Sequence, residues 1–144
     1  MQKDEKLKEN IINERINKDS IIIDSLLKSP KLPCKNSTPS QLPNTPGIYV
    51  FFNHSSEAIR GGRKDDQTLR DRIYRNHLMG NQQGNLRVQL IKSGVCQCMD
   101  EAKKWIRNQY VVQYLELQEI EKMDFKMHWA EHFMLAILQP KLSN

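Results

Sequence analysis

The sequence predicts an α/β fold, with a small antiparallel sheet of about three strands flanked by helices and preceded by an N-terminal helical arm. Three observations predict it. Apolar residues recur every three or four positions in several segments, the spacing of one helical face. Two runs, Gly47-Ile48-Tyr49-Val50-Phe51-Phe52 and Tyr110 to Leu117, are instead β-branched and aromatic. The resulting order of helix, two strands, helices, strand and helix layers helices against a small sheet.

The first element is an amphipathic helix over residues 4–28, carried by Leu7, Ile11, Ile12, Ile16, Ile22, Ile23, Leu26 and Leu27. Its surface charges are of both signs, so residues 1–28 read as an arm for packing, self-association or a protein partner and not as a membrane anchor. Ser29 to Pro46 holds five of the six prolines and cannot propagate a helix. Residues 29–41 are therefore a linker, and the domain proper spans 42–144. Gly47 to Phe52 is a strand turning at Asn53-His54-Ser55-Ser56, with Glu57 to Arg60 as its hairpin partner and Gly61-Gly62 breaking the chain after it. A helix starts at Asp66 or Thr68, with Leu69, Ile73, His77 and Leu78 on one face, Thr68 as N-cap and Gly80 as stop. Asn85 to Lys92 and Asp100 to Asn108 are further short helices, and Tyr110 to Leu117 is a buried strand. The last helix runs from Met123 to Leu138 and ends before Pro140. Trp105 and Trp129 lie at core spacing within these helices.

The length of 144 residues suits one domain. No apolar run approaches the ~20 residues of a membrane helix, and residues 1–17 lack the apolar core of a secretory signal. With three cysteines, an odd count that reads as free thiols, the expected location is cytoplasmic. The net charge is +5, and the whole excess lies between Arg60 and Lys92, where eight Lys or Arg face three Asp. A local basic stretch of this kind points to a polyanionic partner.

Gly47-Ile48-Tyr49 on the first strand, Leu69-Arg70-Asp71-Arg72 at a helix start, Glu131 on a late helix and Pro140-Lys141-Leu142-Ser143-Asn144 at the end together resemble the GIY-YIG nuclease family over residues 42–144. The resemblance implies a metal-dependent DNA endonuclease that hydrolyses phosphodiester bonds, with one Mg²⁺ or Mn²⁺ held by Glu131. It implies Tyr49 as the phenol that relays a proton to or from the attacking water, Arg72 as the stabiliser of phosphate charge and His77 as an auxiliary base or leaving-group aid. Asn144 is the candidate for a terminal contact of the family. Arg63, Lys64, Arg70, Tyr74 and Arg75 would grip the nucleic-acid backbone through charge and stacking. DNA is the expected partner, and charge leaves RNA open as well.

The sequence departs from the family pattern in three places, one of them at its end, where the family's usual spacing from Glu131 lands on Ser143 with Asn144 one past it. Where a second tyrosine belongs, the chain reads Ile59-Arg60-Gly61. The family often has a histidine four residues past the helix arginine, but Asn76 stands there and His77 follows, about 100° further round an α-helix. The alternative function is thus a module that keeps this fold and binds nucleic acid or protein without turnover. A remote alternative is zinc, because His128-Trp129-Ala130-Glu131-His132 fits H-x-x-E-H, with two histidines one turn apart and Cys96 and Cys98 as distant ligands. Apart from that, Cys96-Gln97-Cys98 is too tightly spaced for a redox pair.

Overall fold

The computed structural model describes residues 2–64, 67–78 and 85–142. Its centre is a four-stranded antiparallel sheet in the order β1-β4-β2-β3: β1 is Leu32–Pro33, β2 Gly47–Asn53, β3 Ala58–Lys64 and β4 Tyr110–Glu116. The antiparallel α/β class is as expected, but the sheet has one strand more than the three predicted. The addition comes from the proline-rich stretch, where Leu32 and Pro33 pair with Val112 and Val111. An edge strand tolerates proline because only one of its sides needs backbone donors.

Helices cover both faces of the sheet, which explains why β2 is apolar without alternation. Tyr49 and Phe51 point to one face, packed with Leu69, Ile73, Leu86, Leu90 and Ile106. Ile48, Val50 and Phe52 point to the other, packed with Ile22, Leu26, Ile120, Ala130 and Met134. The first face carries a π-helix over Arg70–Leu78, then α2 (Leu86–Lys92) and α3 (Met99–Gln109). The second carries α1 (Gln2–Lys28), α4 (Leu117–Lys122) and α5 (Met127–Leu138).

The last third of α1 belongs to the core, since Ile22 and Leu26 are buried, whereas Leu7, Ile11, Ile12 and Ile16 stay exposed. Gln113 on β4 fastens its end by donating to the Leu27 and Ser29 carbonyls at 3.1 and 2.8 Å. Those are acceptors that a helix terminus otherwise leaves unmet.

Three expectations change. Gly61-Gly62 does not break the chain; both residues sit within β3, opposite Val50 and Tyr49. The helix expected from Met123 begins only at Met127, because Asp124 adopts a left-handed conformation (φ 65°) that separates α4 from α5. Trp129 is 57% exposed and is not core. Gly80, the expected helix stop, and Asn144 lie outside the described residues. No helix among the described residues is long and apolar enough to cross a membrane.

Candidate active site

A cleft of about 280 Å³ opens at the β3 edge of the sheet, lined by Tyr49 from β2, Arg60 to Arg63 from β3, Arg72 from the π-helix, and Glu131 and Leu135 from α5. It joins side chains from the two faces, and the two glycines make this possible. A Cβ on Gly61 would stand 3.1 Å from Met134 Cε and 3.2 Å from Leu135 Cδ2, so its absence lets α5 come down over the edge strand. On the other face, a Cβ on Gly62 would stand 2.8 Å from the Tyr49 hydroxyl, so its absence gives the phenol its place. The chain after α5 covers the outer edge of β3, with Lys141 and Leu142 N–H donating to the Ala58 and Ile59 carbonyls at 3.1 and 2.8 Å.

The floor of the cleft is a hydrogen-bonded group around the buried Tyr49 oxygen. Arg72 Nε donates to it at 3.0 Å, and His77 Nε2 lies 2.8 Å away. The backbone N–H of Leu86 donates to His77 Nδ1 at 2.9 Å, so that nitrogen carries no hydrogen. Complete burial, followed by the charges of Arg72 and Arg60, holds the imidazole well below its ordinary value of 6.5. The ring is therefore neutral with its proton on Nε2, and it donates to Tyr49. Arg60 is hydrogen-bonded to the Tyr49 side chain as well, so the phenol oxygen is shared by Arg60, Arg72 and His77 at the floor of the cleft.

The π-helix resolves the displaced histidine. In an α-helix His77, five residues past Arg72, would point away from it; i→i+5 winding brings it round to the same side. Both then reach one tyrosine oxygen. The helix is anchored at its start by Leu69 N–H to the Thr45 carbonyl (2.7 Å) and Arg70 N–H to the Pro43 carbonyl (3.1 Å). Thr68 caps it, its hydroxyl accepting from Asp71 N–H at 3.1 Å.

Both ring nitrogens are engaged and the ring is buried, so His77 meets the cleft through the Tyr49 oxygen. Its neutrality also has a stability consequence. The unfolded chain takes up a proton below pH 6.5 that the folded ring refuses, so stability is complete above 6.5 and falls as pH drops below it. The slope is up to about 1.4 kcal/mol per pH unit. Urea unfolding at pH 7.5, 6.5 and 5.5 should show this loss in the wild type in excess of that in His77→Gln; equal pH dependence in the two proteins would refute it.

Arg60, absent from the residues expected at the site, is only 3% exposed. Burial lowers its guanidinium from the ordinary value, as does Arg72, while Tyr49 and Glu131 favour the charged form. The sequence signal was Arg60 itself, at the edge of the basic stretch, but its direction depends on a bulge. Phe51 pairs with Arg60 and Phe52 with Ala58, leaving Ile59 as the extra residue that re-aims the strand.

Of the other expected residues, Arg63 and Glu131 meet across the cleft, with Arg63 Nε 3.7 Å from Glu131 Oε1. Arg70 and Arg75 do not line it: Arg70 Nε donates to the Leu42 carbonyl at 3.1 Å and the exposed Arg75 pairs with Asp71 at 3.3 Å. Tyr74 packs against the core on the π-helix side of the sheet. Lys64 is described only in its backbone, as the last residue of β3.

Glu131 is the one carboxylate among the residues lining the cleft, and 16% of its side chain is exposed. A lone, accessible carboxylate fits a hydrated Mg²⁺ or Mn²⁺ that completes its shell with water and phosphate oxygens. It does not fit a closed zinc site. Among the described residues no group of three His, Cys, Asp or Glu side chains is close enough to enclose a metal, and His128 and His132 are exposed. A larger apolar groove of about 430 Å³ lies between Leu27, Phe52 and Leu138, but its titratable residues are Lys31 and His54 alone. The chemistry gathers in the smaller cleft. No family model, curated protein or solved structure matches this chain.

Proposed function

We propose that this chain is a metal-dependent endonuclease of GIY-YIG type that hydrolyses phosphodiester bonds in DNA at the β3 cleft. The observation that carries this is convergence: one tyrosine hydroxyl, three guanidinium groups and one carboxylate, from a hairpin, the π-helix and the distant α5, line a single cleft. Phosphodiester hydrolysis needs a proton taken from water, stabilisation of charge on the phosphoryl oxygens and help for the leaving oxygen. Tyr49, whose oxygen lines the cleft among Arg60, Arg72 and His77, transfers the proton. Arg72, with its planar fork of donors, holds the phosphoryl oxygens as charge builds on them. Glu131 would hold Mg²⁺ or Mn²⁺, which when bound supplies charge neutralisation at the phosphate.

Ile59 stands where the second family tyrosine belongs, and it is buried in the core at 5% exposure. In this proposal Tyr49 serves as the only phenol in the reaction. Supercoiled plasmid incubated with the protein and Mg²⁺ or Mn²⁺ should be converted to nicked and linear forms. EDTA should stop the conversion, and Glu131→Ala should lower its rate by at least about 100-fold. DNA binding without any metal-dependent nicking would overturn the nuclease and leave a binding module.

A further inference from the structure

Three guanidiniums, from Arg60, Arg63 and Arg72, share the cleft with one carboxylate, a local excess of two positive charges. Arg63 stands beside that carboxylate at 3.7 Å and is 30% exposed, at the rim. Arg72 donates its Nε to the neutral phenol. Arg60 reaches the cleft from deeper in the fold, 3% exposed, on the strand position opposite Phe51 and so on the same face as Tyr49, to which it is hydrogen-bonded, with the Glu131 carboxylate favouring its charge. Placing a guanidinium there costs desolvation, and an anion entering the cleft offsets that cost.

We infer that Arg60 is a phosphate-binding residue of this cleft, taking two non-bridging oxygens of a nucleic-acid phosphate on its fork while Arg72 holds the same group from the π-helix. The inference rests on the nucleic-acid reading of the cleft but not on turnover. It gives the segment Ile59-Arg60-Gly61 a use of its own: Ile59 fills the core and the bulge turns the next side chain into the cleft. The volume of about 280 Å³ falls at or below the range of ~300–1,000 Å³ that encloses a whole small ligand. It is suited to one phosphate group with its neighbouring sugar edges, on a chain that continues outside the cleft.

The test is binding of a fluorescent DNA oligonucleotide in EDTA, where no metal-dependent cleavage occurs, at several salt concentrations. Wild type, Arg60→Gln, Arg60→Lys and the exposed α3 control Lys104→Gln are compared, with circular dichroism to establish folding. Arg60→Gln should bind at least about 10-fold more weakly, and the slope of log affinity against log salt should fall by about one phosphate contact. Arg60→Lys keeps the charge and should keep the slope, yet lose several-fold in affinity because a single ammonium cannot replace the fork. Should Arg60→Gln fail to fold, the lysine variant decides. Wild-type affinity in a folded Arg60→Gln, or in Arg60→Lys when that is the only folded variant, overturns the assignment. A wild type that binds but does not nick sinks the nuclease and spares Arg60, whereas nicking with unchanged binding in Arg60→Gln sinks Arg60 alone. A wild type that does not bind DNA overturns both.

Discussion

Tyr49→Phe should lower the rate of plasmid nicking by ~10²–10⁴-fold, the range for loss of a positioned proton-transfer group. The substitution removes one oxygen, but that oxygen is where Arg72 Nε (3.0 Å) and His77 Nε2 (2.8 Å) converge. Without it, a neutral imidazole keeps its Nε2 proton against a phenyl ring and Arg72 loses the acceptor that aims it. The buried donor left unmet should cost about 1–3 kcal/mol of stability. The two losses separate by experiment, since DNA affinity measured in EDTA should change little while nicking falls. A variant that nicks within about 10-fold of wild type would remove Tyr49 from the chemistry.

Gly47→Ala should have the largest effect on the fold. Gly47 begins β2 and pairs on both sides, with Lys64 of β3 and Glu116 of β4. A Cβ there would overlap the Leu115 carbonyl oxygen, stand 2.7 Å from Leu69 Cδ1 and 3.2 Å from the Glu116 Cα. Two of these three neighbours are backbone of a central strand and cannot turn away, so relief means parting β2 from β4 or lifting the start of the π-helix. We expect a loss of about 3 kcal/mol or more, at or above the usual cost of overpacking. Against a total stability of about 5–15 kcal/mol this leaves a marginal fold. Urea unfolding should show the midpoint lowered by about 1–3 M; an unchanged midpoint would mean that the strands are not packed this closely at Gly47. The glycine of Gly47-Ile48-Tyr49 thus serves the assembly of the sheet, while its tyrosine serves the cleft.

By itself the sequence determined the elements whose residues report on their own surroundings. Apolar spacing marked α1, α2 and α3, because a helix buries one side every three or four residues. The β-branched and aromatic run Ile48 to Phe52 marked a strand, and Thr68 marked a helix start through a side chain that caps the next turn. Tyr49, Arg72 and Glu131 were legible as candidates through the family pattern that their motifs resemble, and Arg63 through the local run of basic charge. Only the tertiary structure decided how these residues meet. Gly61 and Gly62 read as a break in the chain, since glycine weakens a strand; pairing with β2 overrides that preference, and the missing Cβ atoms become the room for α5 and for the phenol. The register of His77 hung on whether nine residues wound as α or π, a choice made by contacts outside the helix, among them the Leu86 N–H and the Tyr49 oxygen. Arg60 looked like one more surface charge, and its burial follows from a bulge that exists only when β3 lies against β2. What one residue prefers can be read from its own chemistry and spacing, but where a side chain points depends on neighbours that the fold brings from elsewhere in the chain.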